Sequence, residues 1–280
     1  MPKTPDHVPF AVPRERGEAN SCHCPRVSNL KAIFWDVDGT LSETERDGHL
    51  VAMNAAFTEL DIPWRWSEQR YGELLRVAGG FERLLFDMES QPLAPASPDE
   101  RSVLARRIHE LKNRRYKERV ESGALTLRPG VRELFDDCTA SGVRMAIVTT
   151  TSLGNVAALL GSHLSPDWRT CFAAVVCAED APTKKPDPLA YRIALQRLRL
   201  RPGETVAIED SPVGLAAAAA VGIPVVITRS RYFADDPVPG ALAVGPMLGT
   251  RVGWSPELRA LDEADRVRLS DIEEWLQQSG

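Results

Sequence analysis

A doubly wound parallel α/β sheet, interrupted after its first strand by an all-helical insert, is the fold class that three features of this sequence predict. The run Lys31-Ala-Ile-Phe-Trp-Asp-Val-Asp-Gly-Thr-Leu41 is apolar until it meets two carboxylates, Asp36 and Asp38, and then a Gly-Thr turn, as in a buried strand that ends at a polar edge. From Leu127 onward helical and strand patterns alternate, which points to a sheet with helices on both faces. Between these regions, residues 45 to about 125 keep helical periodicity and contain no convincing strand.

The elements follow in order. Residues 1–28 carry several prolines, scattered charge and little apolar periodicity, and read as a loose, flexible tail. Within it, Cys22-His23-Cys24 lacks the partner pair that a structural zinc site needs. Residues 29–44 and 127–280 are assigned to the core and residues 45–126 to a helical domain. In that domain Leu50, Met53, Asn54 and Phe57 recur at i, i+3, i+4 and i+7, while Val103, Ile108, Leu111, Tyr116 and Val120 suit a long helix with a basic face. The Pro-rich break from Gln91 to Pro98 divides the two, with Ser97 or Asp99 as a helix cap. Beyond Leu127-Arg-Pro-Gly130 come a helix near 131–141 and strands at 144–150, 172–178, 204–209 and 224–228. The weakly patterned stretch 230–280 closes with a helix from Ser270 to Gln278.

Composition narrows the function classes. A chain of 280 residues can bury one large core and a smaller satellite. A net charge of −5 gives no general reason to bind nucleic acid or an anionic membrane, and the basic run Lys112 to Arg119, interrupted by Glu118, reads as a solvated helix face. The expected partner is a small molecule, the expected state a monomer. No apolar run approaches the ~20 residues of a membrane-spanning helix, and no hydrophobic signal core follows the N-terminus. The expected location is the cytoplasm; a plastid stays open, although Asp6, Glu15 and Glu18 argue against a transit peptide. Cys22, Cys24, Cys138, Cys171 and Cys177 are odd in number and irregular in spacing, so reduced thiols are expected.

Four polar strings fall at strand ends or in the loops after them, where doubly wound sheets bind ligands. Strand residues alternate in direction, so Asp36 and Asp38 share a face while Val37 packs the other way. Two carboxylates this close repel each other unless one is protonated or a cation sits between them. A calcium loop of the form D-x-[DN]-x-[DN]-G is not matched. Thr149, Thr150 and Thr151 end a second apolar strand, though β-branched residues leading into a helix cap would look the same. Lys184 and Lys185 precede Pro186, and adjacent lysines are often merely solvated. Glu209 and Asp210 precede Ser211-Pro212, a string that also suits a plain helix N-terminus.

In this order the four strings resemble motifs I to IV of the haloacid dehalogenase (HAD) superfamily of phosphohydrolases. The resemblance implies a Rossmann-like core and a phosphatase that works through an aspartyl phosphate. Asp36 would be the nucleophile and Asp38 the general acid and then base, with Thr149 and Lys185 holding the phosphoryl group; Lys185, directly before the Pro, matches better than Lys184. The implied cofactor is Mg²⁺, held by Asp36, the Asp38 carbonyl and Asp210, with Glu209 behind them or bonded through water.

The helical insert is similar to the C1-type cap of the β-phosphoglucomutase-like subgroup. Ser42 to His49, Asn54 to Phe57, Tyr71 to Arg83 and Leu127 to Val131 resemble the CbbY group of xylulose-1,5-bisphosphate phosphatases, associated with the Rubisco-based Calvin cycle. That resemblance implies substrate contacts at Glu45, His49, Tyr71, Gly79, Gly80, Arg83, Lys112 and Thr150. Tyr71 as a core aromatic and His49 as a helix-face residue are the structural alternatives. In one departure, Phe81 stands where the group writes Lys in Gly-Gly-Lys-Glu-Arg, which leaves Arg83 and Lys112 as the cations expected at a distal phosphate. The implied reaction is Mg²⁺-dependent hydrolysis of xylulose-1,5-bisphosphate to xylulose 5-phosphate. A broad sugar-monophosphate phosphatase and a β-phosphoglucomutase-like phosphomutase are the alternatives.

Overall fold

Strands β1 (Ala32–Trp35), β2 (Arg144–Val148), β3 (Ala174–Val176), β4 (Thr205–Glu209), β5 (Val225–Thr228) and β6 (Ala243–Gly245) form one parallel sheet in the order β3-β2-β1-β4-β5-β6. They are seen in a computed structural model that describes residues 29–258 and 265–279. The expected tail, with Cys22, His23 and Cys24, lies outside the described residues. Ile33 faces Met145 and Val206 across the sheet, and Trp35 faces Ile147 and Ile208. Alternation then sends Ile33, Trp35, Ile147 and Ile208 into one buried cluster and Phe34, Ala146, Val148 and Ala207 into another. Strands covered on both faces read as continuous apolar runs, and this is why the sequence shows them. The chain runs β1, β2, β3 to one side and then crosses to β4 on the other, so the switch in strand order falls between β1 and β4. Asp36 N donates to Ile208 O at 3.1 Å just beyond that switch.

Between β1 and β2 the chain makes a π-helical turn (Glu45–Leu50) and then α1 (Val51–Glu59), α2 (Glu68–Leu74), α3 (Gly80–Met88) and α4 (Pro98–Glu121). No strand occurs among the described residues of this insert. Ser67 caps α2 by accepting from Arg70 N at 3.1 Å. Pro98 begins α4 after Ser97, whose side chain makes no capping bond, while Asp99 sits in the first turn. The insert has a hydrophobic cluster of its own, with Phe57 edge-on to Trp64 and Trp66 at 5.9 and 5.4 Å. Asn54 pins Trp66 through two 2.9 Å bonds to its backbone. Buried Asp87 accepts from Trp66 Nε1 (2.6 Å), Arg70 (2.6 and 3.0 Å) and Gln91 (2.7 Å), so every helix but α4 is tied to this one carboxylate or its partners. Of the residues that the sequence groups on the long helix, Ile108, Leu111, Tyr116 and Val120 are buried, with Ala105 beside them, while Val103 is 67% exposed.

The remaining helices are α5 (Val131–Ser141), α6 (Leu153–His163), α7 (Leu189–Leu198), α8 (Pro212–Ala219) and α9 (Leu269–Gln278). Gly130 and Gly142, with φ of 86° and 69°, bracket α5 and account for the agreement of its ends with the sequence reading. The expected strands at 144–150 and 172–178 are shorter because the chain leaves the ladder at Thr149 and again after Val176. β6 has only three residues, too few to show a period. Cys138, Cys171 and Cys177 are free, and burial pushes the Cys138 and Cys177 thiols up to about 12, which keeps them protonated and unreactive. No described helix is long and apolar enough to cross a membrane.

Candidate active site

The C-terminal edge of the sheet gathers residues that are far apart in the chain. Lys185 Nζ, in the loop before α7, donates to Asp36 Oδ1 (2.7 Å), Glu209 Oε1 (2.6 Å) and Val148 O (2.8 Å), which uses all three ammonium protons. Burial alone would lower the Lys185 pKa, but Asp36 and Glu209 outweigh it and hold it above the ordinary lysine range. Tyr191, on α7, donates from its hydroxyl to the same Glu209 Oε1 at 2.7 Å. Burial pushes the Asp36 carboxyl well up, and the Glu209 charge adds to this against the opposing pull of Lys185. Asp210 is raised in the same way, by burial first and then by Asp36 and Glu209.

Oxygens of Asp36, Glu209 and Asp210, all three buried, lie within 4.8 Å of one another. Asp210 Oδ2 has no hydrogen-bond partner and rests against the α carbon of Gly39, where an added Cβ would stand 2.1 Å from it. The Glu209 carboxylate rests in the same way against Gly214, where a Cβ would come within 1.9 Å. Buried hard oxygens with one left unpaired are a donor set that fits a small divalent cation such as Mg²⁺. Because Glu209 Oε1 is committed to Lys185 and Tyr191, that residue sets the position of the lysine as much as it faces the cation site. The Asp38 carboxylate lies outside this cluster.

Asp38 is held from the insert side. Thr44 Oγ1 donates to Asp38 Oδ1 at 2.5 Å and His49 Nε2 lies 3.0 Å from the same oxygen, while the His49 ring stacks on Tyr116 at 4.3 Å. Burial would raise the Asp38 carboxyl, but the charge and hydrogen bond of His49, the Thr44 hydroxyl and the charge of Lys112 outweigh it and bring it down to about 2. The π-helical turn carries both Glu45 and His49 to this position, a geometry often found at functional sites. Glu45 accepts from the Tyr71 hydroxyl, and Arg83 donates to Tyr71 Oη at 3.0 Å and to Val77 O at 3.1 Å while lying 3.7 Å from Glu45. Tyr71 and His49 are therefore buried as core side chains are, with their polar atoms bonded to Glu45, Arg83 and Asp38.

Two cavities meet here. The smaller, about 70 Å³, is lined by Asp36, Lys185, Glu209 and Asp210, and the larger, about 130 Å³, by His49, Tyr71, Gly80, Phe81, His109 and Lys112; both include Asp38, Glu45, Gly79, Arg83 and Thr150. Thr149 is buried at the end of β2, with its Oγ1 turned to accept from Thr151 N at 3.2 Å, and it is the next residue, Thr150, that lines both cavities. Several residues outside the sequence-based set also shape the site. Thr44 and Tyr191 hold Asp38 and Glu209. Buried Arg128 ties the turn after Asp38 to the far side of the sheet, donating to Gly39 O, Thr228 O (3.0 Å), Arg229 O (2.7 Å) and Pro246 O (2.8 Å). Its signal was the Arg-Pro-Gly string at the start of the second half; Thr44 and Tyr191 leave none.

Residues 30–222 match the haloacid dehalogenase-like hydrolases, and the chain belongs to that family. It is 45% identical over 222 residues to the plasmid-encoded protein CbbY of Cupriavidus necator, an alignment covering 79% of this chain and 86% of that protein. It also resembles two crystal structures of CbbY from Rhodobacter sphaeroides, one in complex with phosphate and one a mutant in complex with xylulose-1,5-bisphosphate. Identities are 35% and 34%, each with a TM-score of 0.70 and covering 76% of this chain and 92% of the other.

Proposed function

We propose that this protein is a Mg²⁺-dependent phosphatase that converts xylulose-1,5-bisphosphate to xylulose 5-phosphate through an aspartyl phosphate on Asp36, with residues 45–126 acting as a cap over the site. The phosphatase class rests on the hydrolase family together with relatives crystallised with phosphate and with a sugar bisphosphate. The observation that carries the mechanism is the division of labour at one strand end. Asp36 is bonded to Lys185 among buried acids, while Asp38, two residues on, is bonded to Thr44 and His49 in the adjoining cavity.

Asp36, Asp210 and the Asp38 carbonyl would hold Mg²⁺, which when bound offsets the acid cluster and draws charge from the phosphoryl oxygens. Asp36 attacks phosphorus opposite the leaving sugar oxygen. Lys185, fixed by Glu209, Tyr191 and Val148 O, supports the phosphoryl oxygens as charge shifts onto them, and Thr150 and Thr149 sit on the same edge. A carboxyl held near 2 is ionised at rest, so the proton that Asp38 gives to the leaving oxygen comes through its bond with His49, and the pair takes one back from water when the intermediate hydrolyses. The insert excludes bulk water from both cavities.

A phosphate-release panel with Mg²⁺, containing xylulose-1,5-bisphosphate, ribulose-1,5-bisphosphate and sugar monophosphates, tests this reading. The highest kcat/KM is expected for xylulose-1,5-bisphosphate. Equal turnover of all monophosphates would replace it with a broad phosphatase, and isomerisation of a sugar phosphate without free phosphate would replace it with a mutase.

A further inference from the structure

The larger cavity has a wall that belongs to the core and not to the insert. Lys184, next to the catalytic-site lysine but turned away from it, lines this cavity together with Phe81, His109 and Lys112. We propose that Lys184 from the core loop joins Lys112 of α4, expected there from the resemblance, in binding the second anionic group of the substrate, so that this group is held across the junction of core and insert. The inference rests on the sugar-bisphosphate reading and names the residues that recognise the distal phosphate.

Several observations carry it. Lys112 is 4% exposed, yet its only hydrogen bond is a long one of 3.3 Å to Asn113 Oδ1, and its remaining contact is the Tyr116 ring at 5.5 Å. The charges of Asp38 and Glu45 reach Lys112 but neither forms an ion pair with it, and burial still pulls its ammonium down to about 8, so an anion in direct contact is what it lacks. Lys184 is half-buried and has no carboxylate partner among the described residues. Arg83, the cation expected here from the sequence, is already committed to Val77 O, Tyr71 and Glu45. Of the cavity acids, Asp38 is bonded to Thr44 and His49, Glu45 is taken up by Tyr71 and Arg83, and the Glu82 carboxylate lies against the α carbon of Gly79. His109 lies near enough to both lysines for their charges to add to burial in pushing its imidazole down to about 4, so it stands neutral beside them and can donate one hydrogen bond. Asn113 also accepts from Asn155 of α6 at 3.3 Å, which places Lys112 directly at the contact between α4 and the core.

The test is steady-state kinetics of the full chain and of Lys184→Met, Lys184→Arg and Lys112→Met on xylulose-1,5-bisphosphate and on xylulose 1-phosphate, which carries the transferring phosphate alone. Lys184→Met is expected to raise KM for the bisphosphate about tenfold or more with a much smaller change for the monophosphate, as for loss of a charge-assisted contact made equally in ground and transition states. Lys184→Arg is expected to restore most of the loss, and Lys112→Met to act in the same direction as Lys184→Met. A parent enzyme that prefers the bisphosphate and keeps the same preference in Lys184→Met overturns the inference and leaves the proposed function standing. A parent enzyme with no preference for the second phosphate overturns both.

Discussion

The two cavities that meet at Asp38 differ in how their charges are paired. On the core side one ammonium, Lys185, stands among three buried carboxylates, and an orphan oxygen on Asp210 remains after all hydrogen bonds are made. On the insert side Arg83 lies against Glu45 and His49 against Asp38, while Lys112 and Lys184 make no ion pair with the acids that share their cavity. Buried charge without a contacting partner is expensive in a low-dielectric site, so a cation would offset the acids at the sheet edge and an anion would suit the two lysines under the helices. Asp38, held by Thr44 and His49, stands on the boundary, where a leaving oxygen would lie between a phosphate on one side and the rest of the sugar on the other.

The sharpest way to break this comparison is at the core side. Asp36→Asn keeps the shape but cannot attack phosphorus, and phosphate release is expected to fall by at least about a thousandfold with the circular dichroism spectrum unchanged. Turnover within tenfold of the parent would remove the nucleophile from Asp36.

His49→Ala acts at the boundary. It removes the leading influences that hold the Asp38 carboxyl near 2 and leaves burial to raise it, so the acid limb of the kcat profile should move to higher pH. Hydrolysis of sugar esters should slow by about ten- to a hundredfold, while p-nitrophenyl phosphate, whose leaving group needs no proton, should be nearly unaffected. Equal losses on both esters would show that His49 only supports the fold.

Within the insert, Asp87→Ala leaves Trp66 Nε1 and Arg70 without their acceptor. Allowing for the partial exposure of Arg70, a loss of about 2 to 4 kcal/mol in urea denaturation is expected. The smallest effect is expected at His109. Its imidazole titrates near 4 when folded and near its ordinary 6.5 when unfolded, so the unfolded chain binds the proton first. That contribution leaves stability untouched above pH 6.5 and erodes it as the pH falls from 6.5 towards 4. His109→Gln should flatten part of that slope; an unchanged slope would place the imidazole in water.

The core was more legible than the insert chamber, and particular residues show why. The strands around β1 announce themselves because both their faces are apolar, and α5 because a glycine in the left-handed region stands at each end. Asp36, Asp38, Lys185, Glu209 and Asp210 were singled out because four short strings, each ambiguous alone, occur in the order of one family's motifs. In the insert Leu50, Met53 and Phe57 followed from helical spacing, but Trp66, which packs on Phe57 from a loop, did not, and the exposed Val103 was grouped with residues that are buried, since an isolated apolar residue on a long helix carries no sign of which face it occupies. The assignment of Arg83 as the free cation also came from sequence position, whereas Glu45, which neutralises it, lies 38 residues away on a different element.

From the sequence alone came what depends on neighbours along the chain: the period of two that puts Asp36 and Asp38 on one strand face, the apolar runs of a covered sheet, and the order of elements that brings four polar strings to strand ends. Only the tertiary structure decided which charges cancel. Lys185 meets Asp36 across 149 positions of sequence, and Lys184, its neighbour, enters a different cavity altogether. Periodicity is a local property of the backbone, while charge balance is a sum over everything that packs within a few ångströms, and no stretch of sequence contains that sum.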